Sequence, residues 1–299
     1  MDKRIKNIEK ELKYFESNNL DTSSLEHGLR ILKKEYNSSL SAWDKVKLAR
    51  QVDRPSSLSF INNIFDNFIE LHGDRCYGDD KAIIGGIGML ENTPVTIIGV
   101  QKGKEANENI IRNFGMPHPE GYRKAMRLME QAEKFNRPIV TFVNTPGAYP
   151  GFGAEKRGQA HAIANNLVGM MNLKVPVISI FIGEGGSGGA LALAVANQVW
   201  MLENSIYSIL SPEGFASIIH KDASMASEVV DSMKITADSL YDLGLVDCII
   251  SESEHGINDG FNQVCENLKD KLVYEINEMQ KRKGNALQRE RYHKFRKIK

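Results

Sequence analysis

The chain has 299 residues, and its 38 Lys and Arg balance its 38 Asp and Glu, so the formal net charge is zero. Hydrophobic residues make up 41% and charged residues 25%, which is ordinary globular composition and excludes a disordered, collagen-like or coiled-coil chain. No apolar run approaches the roughly 20 residues of a membrane helix, and the N-terminus lacks the pattern of a secretion signal or transit peptide. We therefore expect a cytoplasmic protein that does not bind membranes.

The first 54 residues have the apolar spacing of helices and contain no glycine-rich or reactive cluster. Ser23 and Glu26 have the spacing of a capping box at the start of the second helix, and a third, short helix is predicted around Trp43. This region is predicted to be a helical N-terminal extension. Its apolar stripes are Ile5, Ile8, Leu12 and Phe15, then Leu25, Leu29, Leu32, Tyr36 and Leu40, and finally Trp43, Val46 and Leu48.

The central region alternates between β-rich and helical patterns. Residues 61–69 are predicted to form a helix, because Ile61, Ile64, Phe65, Phe68 and Ile69 fit one helix face. Two β-rich runs joined by the turn ENTP then predict a hairpin, and a helix is predicted to begin at Pro119. Strands and helices alternate after it, which predicts an α/β domain with much parallel pairing. The later predicted elements are the strand IVTFVNT, a helix over 156–173, the strand VPVISIFI, the helix LALAVAN, the strands QVWMLE, SIYSIL and VDCIIS, and helices after SPEG and over 258–283.

The C-terminal end is basic. Residues 281–299 carry nine Lys or Arg against the single Glu290, a net charge of +8, so the rest of the chain is acidic. Leu287, Arg291 and Phe295 are spaced as on one helix, which predicts an exposed terminal helix rather than a nucleic-acid site. The predicted division of the chain is a helical extension over 1–54, a central domain over 55–257 and a C-terminal helix with a basic tail over 258–299.

The three cysteines, Cys76, Cys248 and Cys265, are far apart and include no Cys-x-x-Cys pair. Neither a disulfide framework nor a zinc ribbon is built from such spacing. Reduced thiols and no metal site are therefore predicted for this chain.

The segment GEGGSGGA, residues 183–190, fits three different chemistries. Gly183, Gly185 and Gly188 satisfy G-x-G-x-x-G, which would make the protein a NAD-dependent oxidoreductase, although a dinucleotide fingerprint usually follows the first strand of its domain. Gly185, Ser187 and Gly189 satisfy the G-x-S-x-G of hydrolases. The third possibility is a set of backbone N–H groups that stabilise a developing oxyanion.

The hydrolase interpretation requires a histidine after the serine. His220, His255 and His293 follow it, but none lies in a segment typical of a catalytic histidine. Ser187 is therefore interpreted as a helix-cap or packing serine.

A second glycine-rich segment, NTPGAYPGFG, also follows a predicted strand and precedes a helix. Loops at the carboxyl ends of neighbouring strands meet where open α/β sheets bind ligands. This arrangement favours the oxyanion interpretation, while the alternative is that both segments are only tight turns of a noncatalytic scaffold.

Many ordered motifs between about Trp43 and Ile250 resemble one family, the α subunit of the bacterial-type, multisubunit acetyl-coenzyme A carboxylase carboxyltransferase. The resemblance implies a crotonase-like (ClpP/crotonase) spiral of β-β-α units with a helical N-terminal extension. The motifs are GDR, DDKAIIGGIG, IIGVQKGKE, RNFGMPHPEGYRKAMRLM, TPGAYPG, GAEKRGQ, IGEGGSGGALAL and SPEG.

The resemblance also implies a reaction and its partners. Such subunits transfer a carboxyl group from carboxybiotin, presented on a biotin carboxyl carrier protein that biotin carboxylase loads, to acetyl-CoA, and the product is malonyl-CoA for fatty-acid synthesis. They act with a β subunit, usually in an α2β2 assembly, and the β subunit commonly carries the zinc ribbon. No cofactor is expected to be bound covalently by this chain. Because the cofactor itself supplies the base, no titrating side chain is required.

Site residues follow from the same resemblance. Gly188 and Gly189 are predicted to form the oxyanion hole for biotin, with Gly185 and Gly186 shaping the turn. Further residues are weaker candidates for contacts with biotin or CoA, and for the basic ones a solvated surface is about as good an interpretation. They are Gly147, Ala148, Tyr149, Phe152, Lys102, Lys104, Arg112, Arg123 and Lys124.

Two positions depart from the family pattern. Asn144 stands where DTPGAYPG of the family has aspartate, which puts a charged role there in doubt. The glycine-rich segment that often follows the last strand is reduced to SESEHGINDG. Neither change affects Gly188 or Gly189.

Overall fold

The structure is a computed structural model that describes residues 3–18, 20–38, 40–253 and 256–298. Within these residues, eight β-strands form a single sheet. The strands are β1 (Asp66–Glu70), β2 (Ile83–Leu90), β3 (Thr93–Val100), β4 (Ile139–Thr145), β5 (Val177–Gly186), β6 (Gln198–Leu202), β7 (Ile206–Ser208) and β8 (Cys248–Ile250).

The sheet changes from antiparallel to parallel pairing along its width. β1, β2 and β3 pair antiparallel, and β3, β4, β5, β6 and β8 then follow in parallel. The short β7 pairs with the end of β5. The predicted hairpin is confirmed, with Leu90 opposite Thr93 beside its turn.

Helices precede the sheet, cover both of its faces and follow it. The α-helices of the described residues are α1 (Lys3–Ser17), α2 (Ser23–Ser38), α3 (Ala42–Ala49), α4 (Ser57–Ile64), α5 (Ala106–Ile111), α6 (Pro119–Lys134), α7 (Phe152–Lys156), α8 (Gln159–Asn172), α9 (Ser187–Leu191), α10 (Pro212–His220), α11 (Ala226–Val229), α12 (Ala237–Asp242), α13 (Phe261–Gln280) and α14 (Gly284–Lys297). Short 3₁₀ turns cover Asn113–Gly115, Ala223–Met225 and Val230–Met233.

The core consists of two apolar layers, one on each face of the sheet. Successive strand residues point to opposite faces, so Ile97 packs under α4 and α13 while Ile98 packs under α6 and α8. Both faces are therefore covered, as a parallel sheet requires. Because β4 and β5 are parallel neighbours, their carboxyl ends lie at the same edge of the sheet, and the two glycine-rich segments lie there.

Three local predictions are wrong. The helix predicted over 61–69 ends at Ile64, and Phe68 and Ile69 lie in β1, which pairs with β2 and places Ile69 opposite Ile87. A helix is predicted over LALAVAN, residues 191–197, but α9 begins earlier, at Ser187, and ends at Leu191. Ser23 is the first residue of α2, and the side chain that contacts Glu26 is Thr22, whose Oγ1 donates to Oε1 over 2.6 Å.

The C-terminal helices pack onto the body of the protein. α13 contributes Val264, Leu268 and Leu272 to the layer that contains Ile97. On α14, Leu287 is 1% exposed and Arg291 is fully buried. The expectation of an exposed terminal helix is therefore wrong for the inner face of α14.

Arg291 explains why this helix is fixed. Its guanidinium donates to the carbonyl oxygens of Met170 (2.6 Å), Leu173 (2.8 Å) and Val175 (3.2 Å), at and just beyond the end of α8. The last carbonyls of a helix lack intrahelical partners, and a basic side chain supplies them here. Burial lowers the pKa of Arg291 to about 10.

Candidate functional site

A cleft of about 440 Å³ lies at the carboxyl ends of β4 and β5. Its walls come from both glycine-rich segments and from the loop between β7 and α10. The lining residues are Arg50, Pro146, Gly147, Ala148, Ile163, Glu184, Gly185, Gly186, Ser187, Gly188, Gly189, Ile206, Ser208, Ile209, Leu210 and Ser211.

The two glycine-rich segments touch each other through their backbones. A Cβ atom at Gly186 would lie 2.0 Å from the Pro146 carbonyl oxygen, and one at Gly189 would lie 2.5 Å from the Ala148 nitrogen. These distances are too short for any side chain, so both positions require glycine. The convergence predicted from the sequence is observed, and it accounts for these two glycines.

Among the residues that line the cleft, Gly188, Gly189 and Ala148 offer backbone N–H groups as hydrogen-bond donors. None of them has a hydrogen-bond partner within the described residues. The first N–H groups of a helix have no intrahelical acceptor, and Gly188 and Gly189 lie in the first turn of α9. An oxygen that carries negative charge would find these donors already in position.

Gly147 does not offer a free N–H group. Its N–H donates to Thr145 Oγ1 over 3.0 Å, and that hydroxyl in turn donates to the Gly147 carbonyl over 2.8 Å. Gly147 has φ +145°, so glycine suits the turn. Of the two candidates in this segment, Ala148 has the available donor and Gly147 shapes the wall.

Ser187 lies in the cleft with φ +51°, a left-handed conformation that is rare for serine. Its side chain is exposed rather than packed, and the structure shows no capping bond at this end of α9. The interpretation of Ser187 as a helix-cap or packing serine is therefore wrong.

The hydrolase interpretation lacks its base. The residues that line the cleft include no histidine. His220 ends α10 and His293 lies on α14, while His255 falls outside the described residues.

The dinucleotide alternative is also contradicted by the position of its glycines. Gly183 and Gly185 lie inside β5, after four earlier strands, and not in a loop. A Cβ at Gly183 would lie 2.7 Å from Asn144 Oδ1, and one at Gly185 would lie 2.4 Å from a ring carbon of Phe181. Packing against neighbouring side chains therefore explains both glycines.

A charged network borders the cleft. Arg50 donates from Nε to Glu184 Oε1 and from Nη1 to Glu213 Oε1, both over 2.6 Å. Lys102 donates to Glu184 Oε2 over 3.0 Å. Although burial opposes ionisation of Glu184, Lys102 and Arg50 hold its pKa below the usual value. Both cations are thus neutralised by carboxylates.

Three charged residues at the cleft are absent from the residues predicted from the sequence: Arg50, Glu184 and Glu213. Glu184 lies inside the glycine-rich segment, so its position was a usable signal. Arg50 follows α3 in the N-terminal extension, and only the folded chain brings it to the cleft.

Asn144 joins the ends of β4 and β5. Its Oδ1 accepts the N–H of Glu184 over 3.1 Å, and the residue is 4% exposed. A carbonyl oxygen is sufficient for this contact, so no charge is required at this position.

The other predicted contact residues lie outside the cleft lining. Tyr149 stacks on His118 with ring centroids 4.2 Å apart. Arg123 donates to Asp74 Oδ2 over 2.7 Å, and Lys124 is buried and donates to Asp79 Oδ1 over 2.6 Å. The bonds of Arg123 and Lys124 hold the loop between β1 and β2.

The remaining candidates are placed separately. Lys102 reaches the cleft only through Glu184. Arg112 donates to the Lys81 carbonyl, Lys104 is exposed, and Phe152 is 82% exposed on α7.

The described part of the chain contains neither a metal-binding cluster nor a membrane-spanning helix. Within the described ranges, no group of three His, Cys, Asp or Glu side chains is placed to hold a metal ion. The helices described here include none that is long and apolar enough to cross a membrane.

The fold matches solved carboxyltransferases and a related decarboxylase. A transcarboxylase 12S chain gives a TM-score of 0.59 at 19% identity; the match covers 74% of this chain and 43% of that one, so this chain spans less than half of its length. A chain of a Pseudomonas malonate decarboxylase hetero-tetramer gives a TM-score of 0.61 at 16% identity, with 75% and 89% covered. The molecule has the crotonase-like fold of this class of proteins, as predicted.

Sequence comparison identifies the family. A family model described as "Acetyl co-enzyme A carboxylase carboxyltransferase-like" matches residues 1–299. The acetyl-coenzyme A carboxylase carboxyl transferase subunit alpha of Clostridium perfringens is 58% identical over 267 residues, which cover 89% of this chain and 98% of that protein. The chain belongs to the acetyl-CoA carboxylase carboxyltransferase family.

One relative combines two subunits in one polypeptide. The Clostridium tetani protein named acetyl-coenzyme A carboxylase carboxyl transferase subunits beta/alpha is 56% identical over 259 residues, which cover 87% of this chain and 45% of that protein. The present chain matches less than half of this longer relative.

Proposed function

We propose that this chain is the α subunit of a carboxyltransferase that transfers a carboxyl group from carboxybiotin to acetyl-CoA and forms malonyl-CoA. The observation that carries the proposal is the group of unpaired N–H donors of Gly188, Gly189 and Ala148 in the cleft. The names of relatives more than 50% identical over most of the chain support the same reaction. We place the enzyme in the cytoplasm.

The cleft suits the ring system of biotin. One wall presents the three backbone donors, and Ile163, Ile209 and Leu210 supply apolar surface. A bicyclic ring with a ureido oxygen requires this combination of a hydrogen-bonding wall and an apolar one. When bound, carboxybiotin supplies the carboxyl group that is transferred.

The chain contributes stabilisation of negative charge. The donors of Gly188 and Gly189 are fixed in α9, and the contact between the two glycine segments fixes the donor of Ala148 beside them. Because these dipoles are in position before negative charge develops, they need no reorganisation during the reaction. Loss of one such donor typically costs about 3 to 4 kcal/mol of transition-state stabilisation.

The remaining parts of the reaction are assigned to partners. The beta/alpha polypeptides among the relatives support a β-type partner for this chain. We propose an α2β2 assembly in which the β subunit carries zinc and stabilises the negative charge that develops on acetyl-CoA. Biotin carboxylase and the biotin carboxyl carrier protein would supply the carboxyl group.

Reconstitution tests the division of labour. The full chain is mixed with the β subunit of the same organism, carboxybiotin and acetyl-CoA, and malonyl-CoA is measured. We expect product only when both subunits are present. Product from this chain alone would contradict the shared site, and no product from the pair would contradict the reaction.

A bulkier residue at Gly188 tests the donors. A Cβ there would meet only Ile163 Cγ2, at 3.7 Å, so Gly188→Val should fold while covering the neighbouring N–H groups. We expect turnover to fall about 100-fold or more with assembly intact. Gly78→Ala is the matched control, because a Cβ at Gly78 meets nothing within 4 Å. Normal turnover by Gly188→Val would refute the assignment.

A further inference from the structure

Arg50 contacts both walls of the cleft. Its Nε donates to Glu184, which directly precedes the glycines at the end of β5, and its Nη1 donates to Glu213 in the first turn of α10. The Ile209–Ser211 segment, which forms the apolar wall, directly precedes α10. A single guanidinium therefore connects the wall formed by the two glycine-rich segments, the glycine wall, with the apolar wall.

Arg50 is itself held in place by α3. A capping box of Ser41 and Asp44 begins this helix, and Lys45 forms an ion pair with Asp238 of α12. Val46 and Ala49 are buried against Ile206 of β7 and two residues that follow α11. The arginine thus extends from a fixed support rather than from a mobile end.

The planar guanidinium is suited to two carboxylates at once. Arg50 donates from Nε to Glu184 and from both terminal nitrogens to Glu213, with 3.3 Å between Nη2 and Glu213 Oε2. A lysine ammonium is a compact point charge and does not reproduce this fork. The geometry therefore distinguishes arginine from lysine at this position.

We propose that Arg50 is a positioning residue that sets the spacing between the glycine wall and the apolar wall of the cleft. The proposal rests on the proposed function, because that spacing decides how a biotin ring against Ile209 and Leu210 meets the N–H groups of Gly188 and Gly189. It also makes the N-terminal extension part of the site, since Arg50 lies within it.

Kinetics of the reconstituted enzyme give the first test. Arg50→Gln should lower kcat about 10- to 100-fold, as expected for a misalignment of about 1 Å, while KM for acetyl-CoA changes less than about threefold. Arg50→Lys should recover part of the loss. Lys47→Gln is the matched control, because Lys47 is an exposed cation of the same helix whose ion pair, with Asp44, stays within α3.

A distance measurement tests the spacing without relying on turnover. Spin labels on Ile209→Cys, at the apolar wall, and on Phe152→Cys, an exposed position of the second glycine-rich segment, report the separation of the two walls in the full chain. Cys76→Ser and Cys248→Ser remove thiols that are not buried. We expect one narrow distance distribution with Arg50 and with Lys47→Gln, and a shifted or broadened one with Arg50→Gln.

The two measurements separate the possible failures. Absence of malonyl-CoA with unmodified Arg50 contradicts the proposed function, and the label distances then still test the spacing. A normal kcat in Arg50→Gln, or a loss of kcat without a change in distance, overturns the positioning role. If Arg50→Gln does not fold, Glu213→Gln releases only the apolar wall and should cause the same changes to a smaller degree.

Discussion

The cleft and the C-terminal helix differ in whether the backbone groups at a helix end have hydrogen-bond partners. At the end of α8, the carbonyl oxygens of Met170, Leu173 and Val175 are all taken by the buried Arg291. At the start of α9, the N–H groups of Gly188 and Gly189 have no partner within the described residues. Buried backbone groups are normally satisfied, so donors left open in a cleft mark the place where a ligand is expected.

The two regions also require opposite properties of their side chains. Arg291 is useful only because it is long, charged and fully enclosed. Gly186 and Gly189 are useful because they have no side chain, which lets two backbone segments touch. At the end of α8, a long side chain satisfies the backbone groups. In the cleft, the absence of side chains brings the two backbone segments into contact.

Removing the closing side chain should have the largest effect. Arg291→Met leaves the carbonyl oxygens of Leu173 and Val175 without the donor that they have here, at about 1 to 3 kcal/mol for each buried group. The Met170 carbonyl loses one of its two donors and keeps the N–H of Leu173. We expect the free energy of unfolding to fall by about 3 to 5 kcal/mol, measured by urea denaturation. Arg289→Met is the control on the same helix, because Arg289 is exposed. Equal stability of the two variants would show that α14 is not fixed through Arg291.

The contact between the glycine segments should be the next most sensitive feature. A Cβ at Gly189 would lie 2.5 Å from the Ala148 nitrogen, so Gly189→Ala must move the segments apart. We expect malonyl-CoA formation by the reconstituted enzyme to fall about 100-fold, or about 3 kcal/mol. Gly188→Ala, with its nearest contact at 3.7 Å, should fold with less disturbance of Ala148. A Gly189→Ala enzyme with full turnover would mean that this contact does not hold the donors.

Substitution of Asn144 tests whether the N–H of Glu184, beside the cleft, needs its hydrogen-bond acceptor. Asn144→Ala removes the acceptor of the Glu184 N–H and should cost about 1 to 3 kcal/mol of stability. Asn144→Asp keeps an acceptor oxygen and should lose less. The free energy of unfolding of both variants is measured by urea denaturation. A larger loss with aspartate than with alanine would contradict the neutral role of this side chain.

Tyr122 should give the smallest effect. Its hydroxyl is buried beneath Gly189 and has no hydrogen-bond partner in the described part of the chain, and burial raises its pKa. Because Tyr122→Phe removes an unsatisfied group, stability should stay within about 1 kcal/mol or rise slightly. Turnover in the reconstituted assay should be unchanged. A large loss of turnover would show that this hydroxyl serves the site.

The sequence by itself determined the family, the alternating α/β pattern, the hairpin and the convergence of the two glycine-rich segments. These features are local, because apolar periodicity and the conformational freedom of glycine are visible within short windows. The same local reasoning failed for Phe68 and Ile69, whose apolar spacing fits a helix although pairing with β2 makes them a strand.

Only the tertiary structure decided which long-range partners complete each region. Arg50 meets Glu184 across 134 positions of the chain, and Arg291 meets Met170 across 121. A charged residue on a helix has the same sequence pattern whether it faces solvent or enters the body of the protein. A charged side chain can be buried only where partners compensate for the desolvation of its charge. Those partners are brought together only when the sheet and its covering helices have packed.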